Sequence, residues 1–152
     1  MADRERPLND RGRRACASLT EHLQSIDLHV DRVLCSSAVR ARETLAGIQA
    51  GLPPTAELEI HDGIYLAATS ELLDALRSTP DAVTSLLLIG HNPGIGDLAS
   101  SLAGGGDPDA RALLATGFPA GALASLSLDV SWHELGPGQG TLTSFVRPRE
   151  LD

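Results

Sequence analysis

Lysine is absent from this chain of 152 residues, and arginine supplies all 12 of its basic side chains. Long apolar runs are absent too, since none approaches the ~20 residues that a membrane-spanning helix needs. Residues 1–14 are charged rather than apolar, which argues against a secretory signal. The formal net charge of −8 disfavours a general nucleic-acid binder. These absences predict a cytoplasmic protein whose partners are neither membranes nor nucleic acids.

Cysteine is scarce as well, with only Cys16 and Cys35 in the chain. Neither has another cysteine or a histidine nearby at the spacing of metal ligands, so no metal site is predicted. A structural disulfide is not expected in a reducing compartment. We therefore expect both cysteines to behave as small buried hydrophobic residues.

Helical and extended patterns alternate along the chain, which predicts one α/β domain over residues 1–152 with an antiparallel edge. Residues 85–90 are typical of a central parallel strand buried on both faces. We expect Ser70 to cap the third helix, residues 104–106 to end the fourth, and the last two strands to form a hairpin. Helices are predicted at 11–25, 38–50, 71–78 and 94–102, a helical turn at 108–114, and strands at 32–36, 57–61, 85–90, 122–129 and 142–147.

The first segment with chemical potential is residues 36–44, which leave a buried strand and open a helix. That geometry directs free backbone N–H groups and a positive helix end toward the crevice above the sheet. Arg40 lies in the first turn, where its planar guanidinium can match two phosphate oxygens. The alternative for Arg40 is an ordinary surface charge, and Arg42, which points to another face, is expected to be one.

The second segment is residues 90–94, Gly-His-Asn-Pro-Gly, which also leave a strand and open a helix. Gly90 would allow close backbone approach, Asn92 could cap the helix, and Pro93 suits the first helical position. His91 is then fixed at the end of the strand, where it could donate to a phosphoryl oxygen or transfer a proton. The alternative is a histidine whose ring is satisfied by backbone groups.

Together these segments resemble the histidine phosphatase superfamily, specifically its small phosphohistidine phosphatases of the SixA type. The likeness extends from Arg6 to Leu151, nearly the whole chain. It rests on Arg6-Pro7-Leu8 with Gly12 (R-P-L-x-x-x-G), residues 36–44 (S-P-x-x-R-A-x-x-T, with Ser37 in place of the proline), Tyr65-Leu66-Ala67 (L-Y-x-A), residues 90–94 (G-H-N-P), and Phe118-Pro119 followed by residues 142–151 with Pro148-Arg149 (the closing hairpin).

The resemblance implies a three-layer, phosphoglycerate mutase-like sandwich whose mostly parallel sheet ends in an antiparallel hairpin. It also implies a pocket in which one histidine attacks phosphorus while two arginines and a second histidine hold the oxygens. By likeness Arg40 is the second arginine and His91 the second histidine, and both are expected to bind phosphate and take part in catalysis. Neither a metal nor another cofactor is required, and water hydrolyses the phosphohistidine intermediate.

The nucleophile of the family stands in an Arg-His pair at the end of a first strand, and this sequence has no such pair. None of the five histidines follows an arginine; they are His22, His29, His61, His91 and His133. One interpretation is a misassigned start codon. The use of arginine without lysine suggests a GC-rich genome, and in such genomes an internal valine codon can be taken as the codon of Met1. The other is a true truncation, which would leave a groove with unpaired backbone groups where the first strand is absent.

The leading functional prediction is a phosphatase acting on phosphohistidine in proteins or on a small phosphomonoester. The alternative is a non-catalytic phosphate-binding or regulatory domain. A mutase acting on phosphoglycerate is disfavoured by the short chain. The acid that protonates the leaving group is not evident: Asp62 is a candidate, and Tyr65 is expected only to pack beneath the pocket.

Overall fold

The computed structural model describes residues 1–148, so Arg149 and Leu151 of the closing-hairpin likeness lie outside the described residues. The helices are α1 Asp10–Ser25, α2 Val39–Ile48, α3 Thr69–Arg77, α4 Gly94–Leu102 and α5 Pro108–Ala115. The strands are β1 Arg32–Ser36, β2 Glu57–His61, β3 Leu86–Ile89, β4 Ala103–Gly106, β5 Leu123–Leu128 and β6 Gly140–Val146. No helix within residues 1–148 is long and apolar enough to span a bilayer.

The first sheet is parallel throughout, with the strand order β2-β1-β3. Successive side chains of β1 point to opposite faces. Val33 and Cys35 pack into the cluster that includes residues of α1 and α2, whereas Leu34 packs into the cluster with residues of α3 and α4. Helices therefore cover both faces of this sheet, which gives the predicted three-layer architecture.

The second sheet has the order β4-β6-β5, with β6 parallel to β4 and antiparallel to β5. Leu142 and Phe145 of β6 pack with Ala110 and Leu114 of α5 in a third buried cluster. Because β5 and β6 pair in antiparallel fashion, the predicted hairpin between the last two strands is confirmed.

The prediction that residues 85–90 form a central strand is wrong, because β1 takes the central position and β3 lies at the edge of its sheet. Every residue of β3 is only partly buried. Leu86 and Leu88 of β3 pack against the same buried cluster as Leu126 and Leu128 of β5, yet the two strands belong to separate sheets. Among residues 1–148, β3 therefore pairs with a strand on one side only, and its leucines share a buried cluster with those of β5.

The glycines at 104–106 do not simply end α4, as the sequence suggested, but pair with β6 as β4. A Cβ at Gly104 would lie 1.9 Å from the carbonyl oxygen of Gly138, and one at Gly106 would lie 2.1 Å from that of Leu142. Gly106 also has a φ of +128°. The strand exists because these residues carry no side chain.

The start of α3 also differs from the prediction, since the helix begins at Thr69 rather than after Ser70. The Glu71 Oε1 atom accepts a hydrogen bond from the Ala68 N–H at 3.0 Å. The acidic side chain therefore satisfies the backbone at the helix start in place of the expected serine cap.

Both cysteines are buried and free, as the sequence predicted. Burial raises the pKa of the Cys16 thiol, and it raises the pKa of Cys35 to about 11. The two side chains therefore pack as neutral thiols in the cluster between the sheet and α1–α2.

Candidate functional site

Two adjacent strand ends bring Ser36 and His91 together. Ser36 is the last residue of β1, and His91 follows β3, its parallel neighbour, so both lie at the same edge of the sheet. The His91 Nε2 atom is 2.6 Å from the Ser36 Oγ atom. Ser36 is fully buried, and its Oγ also accepts from the Ala38 N–H at 3.2 Å. The partner of the His91 ring is thus a side chain of the central strand rather than backbone.

Close packing at the start of α4 depends on Gly94 rather than on Gly90. A Cβ at Gly90 would meet no atom nearer than 3.6 Å, which is ordinary contact. A Cβ at Gly94 would lie 2.3 Å from the carbonyl oxygen of Ala67. The close backbone approach that the sequence assigned to Gly90 therefore occurs four residues later.

Asn92 and Pro93 also take roles that differ from the predicted ones. The helix α4 begins at Gly94, so Pro93 is its cap residue rather than its first helical residue. The Asn92 side chain does not cap this helix, but its Nδ2 donates to the Phe118 carbonyl at 2.6 Å. This bond ties the His91 loop to the segment that leads into β5.

Arg40 lies in the first turn of α2, as predicted, and contacts the N-terminal turn Asp3–Glu5. Its Nη1 donates to the Asp3 carbonyl at 2.9 Å, and its Nη2 is 3.3 Å from the Asp3 Oδ2 atom. The Tyr65 hydroxyl donates to the same Oδ2 at 2.5 Å. One carboxylate oxygen is therefore held by a guanidinium and a phenol together.

Tyr65 connects this pair to His91. Its ring meets the His91 ring edge-on, with centroids 5.4 Å apart and planes at 85°. The Arg4 guanidinium lies 5.3 Å from the Tyr65 ring centroid, within range of a cation–π contact. The structure thus places Arg40 and His91 around one small region, linked through Tyr65 and Asp3.

The charges of this cluster are set by its contacts. The hydrogen bond from Tyr65, aided by Arg6 and Arg40, lowers the pKa of Asp3 to about 2. Burial, and then the Arg40 charge, lower the pKa of His91, while the Asp3 charge acts in the opposite direction. The same hydrogen bond raises the pKa of Tyr65. At neutral pH the site therefore holds an ionised Asp3, a mostly neutral His91 and a protonated Tyr65 hydroxyl.

Asp62, the candidate acid, lies beside the cluster in contact with Arg4 and Ser37. Its side chain is 80% exposed, and the hydrogen bond with Ser37, followed by the Arg4 charge, lowers its pKa. A general acid needs a pKa near the working pH, so these contacts argue against that role. The Nε2 atom of His61, the last residue of β2, lies 3.5 Å from the Glu59 Oε1 atom.

Three residues of the cluster carried no functional assignment from the sequence. Ser36 and Asp3 received none, and Tyr65 was expected only to pack beneath the pocket. A buried serine at a strand end needs a hydrogen-bond partner, and that requirement was the available signal for Ser36. No such signal marks Asp3, because its contacts join residues far apart in sequence. Within residues 1–148, no group of three or more His, Cys, Asp or Glu side chains could hold a metal ion.

Comparisons with known proteins identify similar sequences and folds. The profile of the Histidine phosphatase superfamily (branch 1) matches residues 2–65. Phosphohistidine phosphatase SixA of Escherichia coli (strain K12) is 31% identical, over 99% of this chain and 86% of that protein. A SixA structure from Nakamurella multipartitia has a TM-score of 0.84 at 28% identity, covering 97% of this chain and 88% of that one. A protein histidine phosphatase SixA solved with tungstate has a TM-score of 0.78 at 25% identity, covering 99% and 90%.

Proposed function

Because this chain belongs to the histidine phosphatase superfamily, we propose that it hydrolyses phosphohistidine in proteins, with Arg40 and His91 binding the phosphoryl group. A small phosphomonoester is the other substrate class that this site chemistry allows. The relatives named above as phosphohistidine phosphatases support the first class. A cytoplasmic location is part of the same proposal.

The observation that carries the proposal is the position of the Asp3 carboxylate. Its Oδ2 atom takes hydrogen bonds from Arg40 and Tyr65, and the Tyr65 ring contacts His91. A carboxylate and a phosphoryl group are both oxyanions, so the donors that hold one can hold the other. The SixA relative solved with tungstate binds a tetrahedral oxyanion. For a phosphoryl group to use the Arg40 and Tyr65 donors here, Asp3 has to move aside.

The chemistry assigned to these residues is electrostatic. The transferred phosphoryl group carries negative charge on its equatorial oxygens, which a fixed guanidinium and neutral hydrogen-bond donors stabilise. Arg40 would supply the positive charge and His91 a hydrogen bond. A histidine nitrogen would attack phosphorus as the substrate P–N bond breaks, and water would then cleave the new P–N bond. No histidine of the sequence follows an arginine, so the proposal assigns this nucleophilic role to no residue named here.

The absence of an Arg-His pair from the sequence favours a second candidate, a non-catalytic phosphate-binding domain. Such a domain would keep the contacts of Arg40 and His91 but would not turn over substrate. Binding and hydrolysis measured on the same preparation separate the two candidates. Binding of phosphate together with release of phosphate from a phosphohistidine protein supports the enzyme, whereas binding alone supports the regulatory domain.

The test of the shared site uses Arg40→Ala with Arg42→Ala as its matched control, because Arg42 is an exposed arginine of the same helix. Binding of inorganic phosphate and of tungstate is measured by calorimetry, and hydrolysis is measured with p-nitrophenyl phosphate and a phosphohistidine protein. We expect Arg40→Ala to lower oxyanion affinity by at least about tenfold and Arg42→Ala to leave it within about twofold. Unchanged affinity in Arg40→Ala would show that the site is wrongly assigned.

A further inference from the structure

The bond between Ser36 and His91 determines which ring nitrogen can face a ligand. Ser36 is fully buried, and its Oγ atom is 2.6 Å from the His91 Nε2 atom. We propose that Ser36 is a positioning residue that holds neutral His91 with its proton on Nδ1, so that Nδ1–H is the donor toward the phosphoryl group. This inference rests on the proposed function, since it assigns a hydrogen-bond direction within the same site.

The direction of the bond follows from the hydrogen-bonding capacity of the hydroxyl. The Ser36 Oγ atom already accepts from the Ala38 N–H at 3.2 Å. Its single proton also needs an acceptor, because a buried hydroxyl proton without one is costly. The unprotonated Nε2 of a neutral imidazole, 2.6 Å away, provides that acceptor. The ring then carries its proton on the other nitrogen, Nδ1.

Neutral His91 is the form that this arrangement requires, and its surroundings favour that form. Burial removes the imidazolium from water, and the Arg40 charge repels it. The Asp3 charge favours the imidazolium but is the weaker influence. A neutral ring fixed by Ser36 can donate to a phosphoryl oxygen without carrying a positive charge beside the Arg40 guanidinium.

A different role for the same pair, with Ser36 as nucleophile and His91 as base, is inconsistent with the burial of the serine. None of Ser36 is exposed, and its oxygen is engaged by both Ala38 and His91. A nucleophile has to reach the reacting phosphorus. Ser36 therefore acts through His91 rather than on a substrate.

The decisive measurement is the tautomer of His91 in ¹⁵N-labelled protein, read from two-bond ¹H–¹⁵N correlations of the imidazole ring above the pKa of His91. We expect the wild-type ring to carry its proton on Nδ1. In Ser36→Ala we expect a mixture that includes the Nε2–H tautomer, together with a loss of about three- to tenfold in affinity for inorganic phosphate. Ser36→Thr keeps the hydroxyl and should restore the Nδ1–H form.

Ser37→Ala is the control, because Ser37 contacts Arg4 rather than His91. Amide spectra of each variant verify that it is folded before the ring signals are compared. A wild-type ring protonated on Nε2, or an unchanged tautomer in Ser36→Ala, would overturn the inference. The tautomer is measured without phosphate, so it still decides the role of Ser36 if the wild-type protein binds no phosphate and the proposed function fails.

Discussion

The two halves of the candidate site are held in different ways. On the His91 side, the ring is anchored to the fully buried Ser36 of the central strand, and Gly94 packs directly on the Ala67 backbone. On the Arg40 side, the contacts run to Asp3, a carboxylate that is 45% exposed on the N-terminal turn. Core packing is hard to change locally, whereas an exposed charge contact is weak and can be exchanged. The side with His91, Ser36 and Gly94 is therefore the rigid wall of the site, and the side with Arg40 and Asp3 is its displaceable wall.

The largest expected effect tests the rigid wall. Gly94→Ala places a Cβ within 2.3 Å of the Ala67 carbonyl oxygen, so the start of α4 has to move. We expect a loss of about 2–3 kcal/mol in the free energy of unfolding, measured by equilibrium urea denaturation. Gly90→Ala is the control, because the nearest atom to its Cβ would be 3.6 Å away. Its loss in the free energy of unfolding should be about 1 kcal/mol or less, as for ordinary substitutions. Equal losses in the two variants would show that the wall is not held by this packing.

A smaller effect is expected on the displaceable wall. Asp3→Asn removes the negative charge that Arg40 and Tyr65 hold, so it should raise affinity for inorganic phosphate by about two- to fivefold, the range of an exposed ion pair. Calorimetry at low ionic strength measures this change, with Asp10→Asn as the control because Asp10 pairs with Arg13 instead. A fall in affinity would contradict the expectation and would mean that Asp3 holds Arg40 in place for the ligand.

The smallest effect is electrostatic and connects the two walls. The pKa of His91 lies below its ordinary value of 6.5, partly because of Arg40. His91 therefore binds its second ring proton more tightly in the unfolded chain than in the folded one. The contribution of neutral His91 to the free energy of unfolding is present above pH 6.5 and is lost as the pH falls through the folded pKa. Arg40→Ala should raise the pKa of His91, followed by NMR titration of its ring, whereas Arg42→Ala should not. An unchanged His91 pKa in Arg40→Ala would show that the Arg40 charge does not act on His91.

Much of this site could be predicted where strand ends determine it. The apolar pattern around residues 32–36 and 85–90 indicates two strands, and parallel neighbours expose their carboxyl ends at one edge. Arg40 and His91, which follow these two strands, are therefore expected at the same edge from the sequence alone. The position of Asp3 could not be obtained in this way, because it depends on contacts between residues 3 and 40 and between residues 3 and 65. Such contacts follow from tertiary packing, which local periodicity does not encode.

The fold could be predicted where an apolar pattern marks a strand. It differed from the prediction where two backbone segments are in direct contact. The pattern gave β1 and β2 with the bounds that the structure has. The pattern did not predict β4, because glycine is depleted in strands and usually marks a turn or loop. Here the glycines allow the backbones of residues 104 and 138 to come into contact. The edge position of β3 was also missed, since apolar composition reports burial rather than the number of neighbouring strands.

Cys35 precedes Ser36 at the centre of the sheet, and its thiol has a pKa of about 11. Alkylating reagents and peroxide react with the thiolate rather than with the neutral thiol. At physiological pH this sulfur is therefore inert, although it lies one residue from the side chain that supports His91. Oxidation of Cys35 is therefore a disfavoured route to altering the contact between Ser36 and His91.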